Sequence, residues 1–214
     1  MDCDALLFDL DGVLVDSADC VRRICTDWAI ARGLDADHVL RWSQGRRVQE
    51  TVRAVAPHLD PDAEVATLVA MEAATTDGLR SVPGTHALLS SLPPNAWAVV
   101  TSGARPVATL RLRHVGLPFP GTLISGDDVE RGKPDPEGYL SAAAALGVAP
   151  NQCVVVEDAP AGLEAARAAG MRTIGITGTF PASALRGANV VLPSFDAFAV
   201  RVAAETPRLR ISWE

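Results

Sequence analysis

Long apolar runs and closely spaced cysteines or histidines are missing from this 214-residue chain. No apolar stretch reaches the roughly 20 residues that a membrane-spanning helix needs, so we expect no membrane partner. The four cysteines, Cys3, Cys20, Cys25 and Cys153, include no Cys-x-x-Cys pair. This spacing argues against a zinc knuckle and a dithiol redox centre, and the four histidines also lack a metal-binding spacing.

Positive charge is also scarce, because 19 Lys and Arg face 26 Asp and Glu, for a net charge of -7. The cations are scattered among acids, which argues against nucleic acid as a partner, whereas a small anionic substrate needs only local positive charge. The first apolar run begins within a few residues of Met1 and leaves no room for a secretory segment. We therefore expect a cytoplasmic protein with a small-molecule partner, and the oligomeric state stays open.

The hydrophobic pattern divides the chain into two parts. From Pro83 onward, short apolar runs alternate with helical segments, which is typical of β-α units in a parallel sheet. Between residues 17 and 82 the pattern is that of several amphipathic helices with no convincing strand. The strands are predicted at residues 5–8, 97–100, 122–125, 153–157, 172–176 and 189–192.

These patterns predict an α/β fold, with a Rossmann-like doubly wound parallel sheet built from residues 1–16 and 83–214. Residues 17–82 are predicted to form a helical insertion whose two ends lie close together in this fold, so we expect it to hinge over the sheet as a cap domain. The C-terminal segment 207–214 carries Ile211 and Trp213, which can dock on the core or cover a partner.

Polar residues follow four of the predicted strands. Ligands of an open parallel sheet bind beyond the carboxyl ends of its strands, so these side chains should converge at one edge. A turn explains Asp-x-Asp-Gly taken alone, and a loop lysine is usually solvated, but together the residues supply the parts of a phosphoryl-transfer site. They are, in strand order, Asp9 and Asp11, then Thr101 and Ser102, then Lys133, then Glu157 and Asp158.

The acidic members of this set predict a metal site. Neighbouring carboxylates repel one another and a phosphate dianion unless a cation lies between them. Oxygen ligands without thiolate or imidazole suit Mg²⁺. We expect Asp9 and Asp158 as direct ligands, the backbone carbonyl of Asp11 as a third ligand, and Glu157 acting through water.

Four segments resemble the ordered motifs of the haloacid dehalogenase-like phosphohydrolases. They are residues 9–17 (DLDGVLVDS), 99–103 (VVTSG), 131–134 (RGKP) and 156–162 (VEDAPAG). The resemblance spans nearly the whole predicted core. It implies that the insertion is the helical cap that this family places directly after its first motif.

The resemblance also implies a role for each motif residue. Asp9 would attack phosphorus and form an aspartyl-phosphate, and Asp11 would protonate the leaving group and later activate water. Thr101 and Ser102 would hydrogen-bond the phosphoryl oxygens, while Lys133 would offset their charge and orient Asp9. Dehalogenation is not expected, since family members that cleave carbon–halogen bonds lack the second aspartate.

The motif strings, and a glycine followed closely by arginine in the predicted cap, look similar to the sugar- and polyol-phosphate phosphatases of this family. We therefore expect a small sugar or polyol phosphate as substrate and Arg47 as a substrate contact, with a solvated positive face at Arg46 and Arg47 as the alternative. A β-phosphoglucomutase-like phosphomutase shares the core residues, but residues 16–21 lack the histidine such mutases carry just inside the cap. A non-catalytic binding subunit with this fold is the remaining alternative.

Overall fold

The structure, a computed structural model, describes residues 1–203 and 209–213. Its strands are β1 (Asp2–Cys3), β2 (Ala5–Phe8), β3 (Val15–Asp16), β4 (Arg80–Ser81), β5 (Trp97–Val100), β6 (Leu123–Ile124), β7 (Cys153–Glu157), β8 (Arg172–Ile176), β9 (Val190–Leu192), β10 (Phe198–Val202) and β11 (Leu209–Trp213). Its α-helices are α1 (Ala18–Ala31), α2 (Ala36–Ser43), α3 (Val48–Val55), α4 (Pro61–Ala73), α5 (Thr85–Ser91), α6 (Arg105–His114), α7 (Glu137–Leu146) and α8 (Pro160–Ala168).

A six-stranded parallel sheet forms the centre of the fold, in the order β6-β5-β2-β7-β8-β9. The strand order reverses at β2, which pairs with β5 on one side and β7 on the other. The predicted doubly wound parallel sheet is therefore confirmed. All six predicted strands are present, and the two edge strands β6 and β9 are shorter than predicted. The differences lie at the ends of the strands, where sequence patterns define an element least sharply.

Helices cover both faces of this sheet because successive strand side chains point to opposite faces. Leu6 and Phe8 of β2 join the apolar cluster that includes α5 and α6, whereas Leu7 joins the cluster with α7 and α8. Prolines and glycines delimit these helices as the sequence indicates. Pro160 opens α8, and Gly147, at φ +67°, ends α7 in the left-handed conformation that glycine adopts without strain.

The helices α1 to α4 lie between β3 and β4, which pair antiparallel and bring the two ends of the helical segment together. Within this segment, Glu64 of α4 accepts hydrogen bonds from Trp28 Nε1 at 2.7 Å and Arg32 Nε at 2.9 Å, both from or next to α1. The expectation of no strand between residues 17 and 82 is wrong for the short strand β4. Two residues are too few to show a period in the sequence.

The C-terminal segment docks on the core. β11 pairs antiparallel with both β10 and β1, and the side chains of Leu209 and Ile211 are buried. The amino group of Met1 donates a 2.6 Å hydrogen bond to the carbonyl oxygen of Ile211. Of the segment considered in the sequence, residues 207, 208 and 214 lie outside the described residues.

Candidate active site

Three carboxylates meet where the strand order reverses. Asp9 follows β2, Glu157 ends β7 and Asp158 comes next in the chain, and the parallel pairing of β2 with β7 sets these positions side by side. One oxygen atom from each carboxylate lies within 4.8 Å of the others, and all three residues are buried. The sequence-predicted convergence at one sheet edge therefore exists for this acidic group.

Lys133 lies among these acids. Its Nζ donates hydrogen bonds to Asp9 Oδ1, to Glu157 Oε1 at 2.7 Å and to the carbonyl oxygen of Val100 at 3.1 Å. Burial lowers the pKa of Lys133, but the carboxylates of Asp9 and Glu157 outweigh burial and raise the pKa well above its ordinary value. Lys133 is therefore a fixed positive charge whose three hydrogens all have acceptors.

One lysine does not offset the charge of the acidic group. Burial raises the pKa of Asp9 to about 7, with Glu157 and Asp11 adding to the rise and Lys133 opposing it. Burial, followed by the charges of Glu157 and Asp9, also raises the pKa of Asp158 well above its ordinary value. A raised pKa at neighbouring carboxylates marks a place where a further cation is favourable, and an all-oxygen set of donors fits Mg²⁺.

Glu157 differs from its neighbours because hydrogen bonds occupy both of its oxygens. Oε1 accepts from Lys133 Nζ and from the hydroxyl of Tyr139 at 2.8 Å. Oε2 accepts from the backbone amides of Asp158 at 3.0 Å and Ala159 at 3.1 Å. Glu157 thus positions the lysine and the turn after β7, an arrangement compatible with the indirect contribution to metal binding expected from the sequence.

The glycine of the Asp-x-Asp-Gly segment is needed for two reasons. Gly12 has φ +81°, and a Cβ at this position would overlap the Asp158 carboxylate and lie 2.6 Å from Thr179 Oγ1. The segment is therefore a tight turn and part of the candidate site at once, so the two sequence-based interpretations are not exclusive.

Asp11 is held through one of its two oxygens. Oδ1 accepts hydrogen bonds from Ser17 Oγ at 2.6 Å and from Arg111 Nη1 at 2.7 Å. A Cβ built on Gly103 would lie 4.0 Å from Asp11 Oδ2, so Oδ2 faces the loop 101–103. One oxygen of Asp11 is thus anchored and the other faces the place where the phosphate is expected.

Arg111 is a site residue that the sequence analysis missed. It lies on α6 and is buried together with Val107, Ala108 and Leu112. A charged residue three and four positions from apolar residues on the buried face of a helix is an available signal, because a buried guanidinium requires partners. Here its partners are Asp11 and Glu72, the latter at 3.4 Å.

The two hydroxyl residues after β5 have different environments. Thr101 is buried, and its Oγ1 accepts a 3.0 Å hydrogen bond from the amide of Gly103, which leaves the oxygen able to donate its own hydrogen. Ser102 Oγ donates a 3.0 Å hydrogen bond to the carbonyl oxygen of Gly45, in the helical segment. The predicted contact of Ser102 with the substrate stays a prediction.

Arg47 precedes α3 and bonds to the loop that leads to Lys133. Its Nη1 and Nη2 donate 2.8 Å hydrogen bonds to the carbonyl oxygens of Val129 and Glu130, and its Nε donates to Glu50 at 2.8 Å. These bonds engage all three guanidinium nitrogens. The contact of Arg47 with the substrate stays a prediction.

A cavity of about 440 Å³ lies between the sheet edge and the helical segment. The core contributes the acidic residues and the loop after β5 to its wall. Arg46 lines this cavity whereas Arg47 does not, and the Arg46 guanidinium lies 4.7 Å from the centre of the Trp42 ring. The helical segment contributes residues such as Val21, Cys25, Ser43, Gln44, Leu68 and Glu72.

The chain is similar to several known phosphatases and solved structures. Hexitol phosphatase A of Escherichia coli (strain K12) is 41% identical to this chain, over 94% of the chain and 95% of the relative. Glycerol-1-phosphate phosphohydrolase 2 of Saccharomyces cerevisiae (strain ATCC 204508 / S288c) is 35% identical over 92% of the chain and 84% of the relative. The structure of CbbY from Rhodobacter sphaeroides in complex with phosphate is 26% identical, with a TM-score of 0.74 over 90% of this chain and 95% of that one.

A family model described as haloacid dehalogenase-like hydrolase matches residues 3–170. This match spans the acidic residues, the loop after β5, Lys133 and the whole helical segment. The resemblance seen in the sequence motifs is confirmed, and the chain belongs to the haloacid dehalogenase-like hydrolase family.

Proposed function

We propose that this protein is a Mg²⁺-dependent phosphatase that hydrolyses small sugar or polyol phosphate monoesters through an aspartyl-phosphate on Asp9. The observation that carries the proposal is the buried arrangement of Asp9, Lys133 and Asp158 where the strand order of a parallel sheet reverses. The named activities of the phosphatase relatives support the substrate class.

The metal fits the donor set of this site. Asp9, Asp158 and the backbone carbonyl of Asp11 would hold Mg²⁺, with Glu157 contributing through water. When bound, Mg²⁺ supplies positive charge that offsets the dianionic ester near the carboxylates.

In the proposed reaction, a carboxylate oxygen of Asp9 attacks phosphorus, and the bond between phosphorus and the ester oxygen breaks. Asp11 gives a proton from Oδ2 to the departing alkoxide while Oδ1 stays anchored. Water then attacks phosphorus, Asp11 takes its proton, and the Asp9–phosphorus bond breaks to release inorganic phosphate.

The other predicted residues stabilise this reaction electrostatically. Lys133 holds Asp9 through Oδ1 and offsets negative charge on the phosphoryl group, and Thr101 donates its hydroxyl hydrogen to a phosphoryl oxygen. Ser102 and Arg47 would contact the substrate when their present hydrogen bonds rearrange.

Residues 17–82 act as a cap domain over a core of residues 1–16 and 83–214. The hydrogen bond from Ser102 to Gly45 crosses from the core to the helical segment, and the bonds of Arg47 cross in the opposite direction. These bonds support a closed arrangement in which the cap excludes water from the cavity. Among the described residues no helix is long and apolar enough to span a membrane, and the cytoplasmic location and lack of nucleic-acid partners stay predictions.

The test is release of inorganic phosphate from sorbitol phosphate, glycerol phosphate and para-nitrophenyl phosphate, with Mg²⁺ and with a chelator. We expect turnover with Mg²⁺ only, and with phosphate as the product. An isomeric sugar phosphate in place of inorganic phosphate would show a phosphomutase, and negligible rates under both conditions would favour a non-catalytic subunit.

A further inference from the structure

Glu72 and Arg111 form a buried charged pair, and the proposed reaction gives no role to Glu72. Glu72 lies on α4 in the helical segment and Arg111 on α6 in the core. Their side chains are 11% and 4% exposed, and both residues line the large cavity. Buried charged groups are costly unless they are paired or serve a ligand, so this pair requires an explanation.

Arg111 connects Glu72 to the proposed acid. Its Nη1 bonds to Asp11 at 2.7 Å, and its Nη2 lies 3.4 Å from Glu72 Oε1. Glu72 is therefore one guanidinium away from the carboxyl group that protonates the leaving oxygen. Asp11, Arg111 and Glu72 line the same cavity, so a leaving group that occupies this cavity can bring its substituents to Glu72.

The carboxylate of Glu72 has acceptor capacity to spare. Within residues 1–203 and 209–213, Arg111 is its hydrogen-bond donor, through one long bond to one oxygen. The wall of the same cavity includes the apolar side chains of Val21, Cys25 and Leu68. A carboxylate of this kind accepts hydrogen bonds from hydroxyl groups and repels anions, and burial raises its pKa, as expected for an incompletely paired acid.

We propose that Glu72 selects the leaving group, by accepting a hydrogen bond from a hydroxyl group near the ester and disfavouring a carboxylate or second phosphate there. This inference rests on the proposed phosphatase function and deepens it. Arg111 bonds to both Asp11 and Glu72, so its charge is already engaged, and the carboxylate of Glu72 favours a neutral polyol over an anionic tail.

The experiment uses three phosphate esters with the same three-carbon skeleton and the variant Glu72→Gln. Propyl phosphate has no hydroxyl group, glycerol phosphate has two, and 3-phosphooxypropanoate has a carboxylate and no hydroxyl group. We expect Glu72→Gln to lower kcat/KM for glycerol phosphate by about 5- to 10-fold, because a hydrogen bond to a charged acceptor is replaced by a weaker one to a neutral amide oxygen. The kcat/KM for propyl phosphate should change less than about twofold, and that for 3-phosphooxypropanoate should rise about tenfold as repulsion is removed.

Glu64→Gln is the matched control, since Glu64 lies on the same helix and bonds Trp28 and Arg32 outside the cavity. It should leave all three kcat/KM ratios unchanged. An equal loss for all three esters in Glu72→Gln, or an unchanged profile, would overturn the inference. If the wild-type protein with Mg²⁺ releases no phosphate from sorbitol phosphate, glycerol phosphate and para-nitrophenyl phosphate, the proposed function itself fails, so the two failures are distinguishable.

Discussion

Arg47 Nη1 donates a 2.8 Å hydrogen bond to the carbonyl oxygen of Val129, although the two residues are 82 positions apart. Arg47 Nη2 bonds to the next carbonyl oxygen, of Glu130, and Glu50 accepts a 3.2 Å hydrogen bond from the amide of Gly132. The start of α3 is thereby joined to the loop that ends at Lys133. Closure of the helical segment and placement of Lys133 are physically connected.

Arg47→Ala and Glu50→Gln should therefore have similar effects. We expect kcat/KM to fall about 10- to 100-fold for every ester, because small displacements of a positioned group are costly in catalysis. Steady-state kinetics over sugar, polyol and aryl phosphates measures this, with the exposed Arg53→Ala on the same helix as control. A changed substrate profile in Arg47→Ala alone would instead support the substrate contact predicted from the sequence.

Asp9→Asn should reduce phosphate release by at least about a thousandfold, because an amide is a poor nucleophile for phosphorus. The fold should persist, since the amide oxygen can still accept the bond from Lys133 and one buried charge is removed. Phosphate release and a thermal melt check the two expectations. Turnover equal to wild type, in a preparation free of other phosphatases, contradicts the assignment of the nucleophile.

Mg²⁺ should stabilise the protein more as pH rises. In the metal-free protein the pKa of Asp9 is raised from 3.8 to about 7, so between these pH values the folded state holds the proton more tightly than the unfolded chain. Through this group, the free energy of unfolding falls as pH rises across that window. Metal binding requires the ionised carboxylate and removes this penalty.

Thermal melts with Mg²⁺ and with a chelator at pH 5, 6, 7 and 8 measure this dependence. The difference in Tm should grow from pH 5 to pH 8, and Asp9→Asn should reduce the growth. A constant difference across the series would rule out coupling between this proton and the metal.

Gly12→Ala should weaken Mg²⁺ binding and turnover by more than its loss of folding stability explains. Gly33→Ala is the matched control, because Gly33 also has a positive φ, of +67°, but a Cβ there would meet nothing within 4 Å. Both substitutions should lower the free energy of unfolding by about 1 to 3 kcal/mol, because alanine is strained at a positive φ. Only Gly12→Ala also displaces the Asp158 carboxylate. Calorimetric titration of Mg²⁺ into each variant separates the two effects, and equal affinities would refute a role for Gly12 at the metal site.

Ile211→Ala should lower the free energy of unfolding by about 2 to 5 kcal/mol, because its buried side chain packs between the C-terminal hairpin and the core. Val202→Ala, at a half-exposed position of the same hairpin, should cost about 0.5 kcal/mol. Urea unfolding monitored by circular dichroism measures both values. Equal costs would show that the hairpin is not part of the cooperative core.

The parallel sheet and the acidic group were predictable because their signals are local. Strands such as β7 read as short apolar runs bounded by turn residues, and parallel strands place their carboxyl ends at one edge whatever the rest of the chain does. The sequence alone thus places three residues at the same sheet edge, since each follows a strand: Asp9, Lys133 and Asp158. Gly12 was visible as a turn residue, although its contact with the Asp158 carboxylate was not.

Side-chain contacts between residues far apart in the sequence depended on how the helices and strands pack. Arg111 pairs with Asp11 at a separation of 100 positions and with Glu72 at 39, and no local pattern specifies which buried carboxylate a guanidinium will meet. The same holds for the docking of Ile211 beside Met1 at the opposite end of the chain. Residue type and strand position established the chemistry available at the sheet edge, because backbone periodicity is a local property. The three-dimensional fold alone assigned the partners that orient this chemistry, because side-chain contacts form only when distant elements pack together.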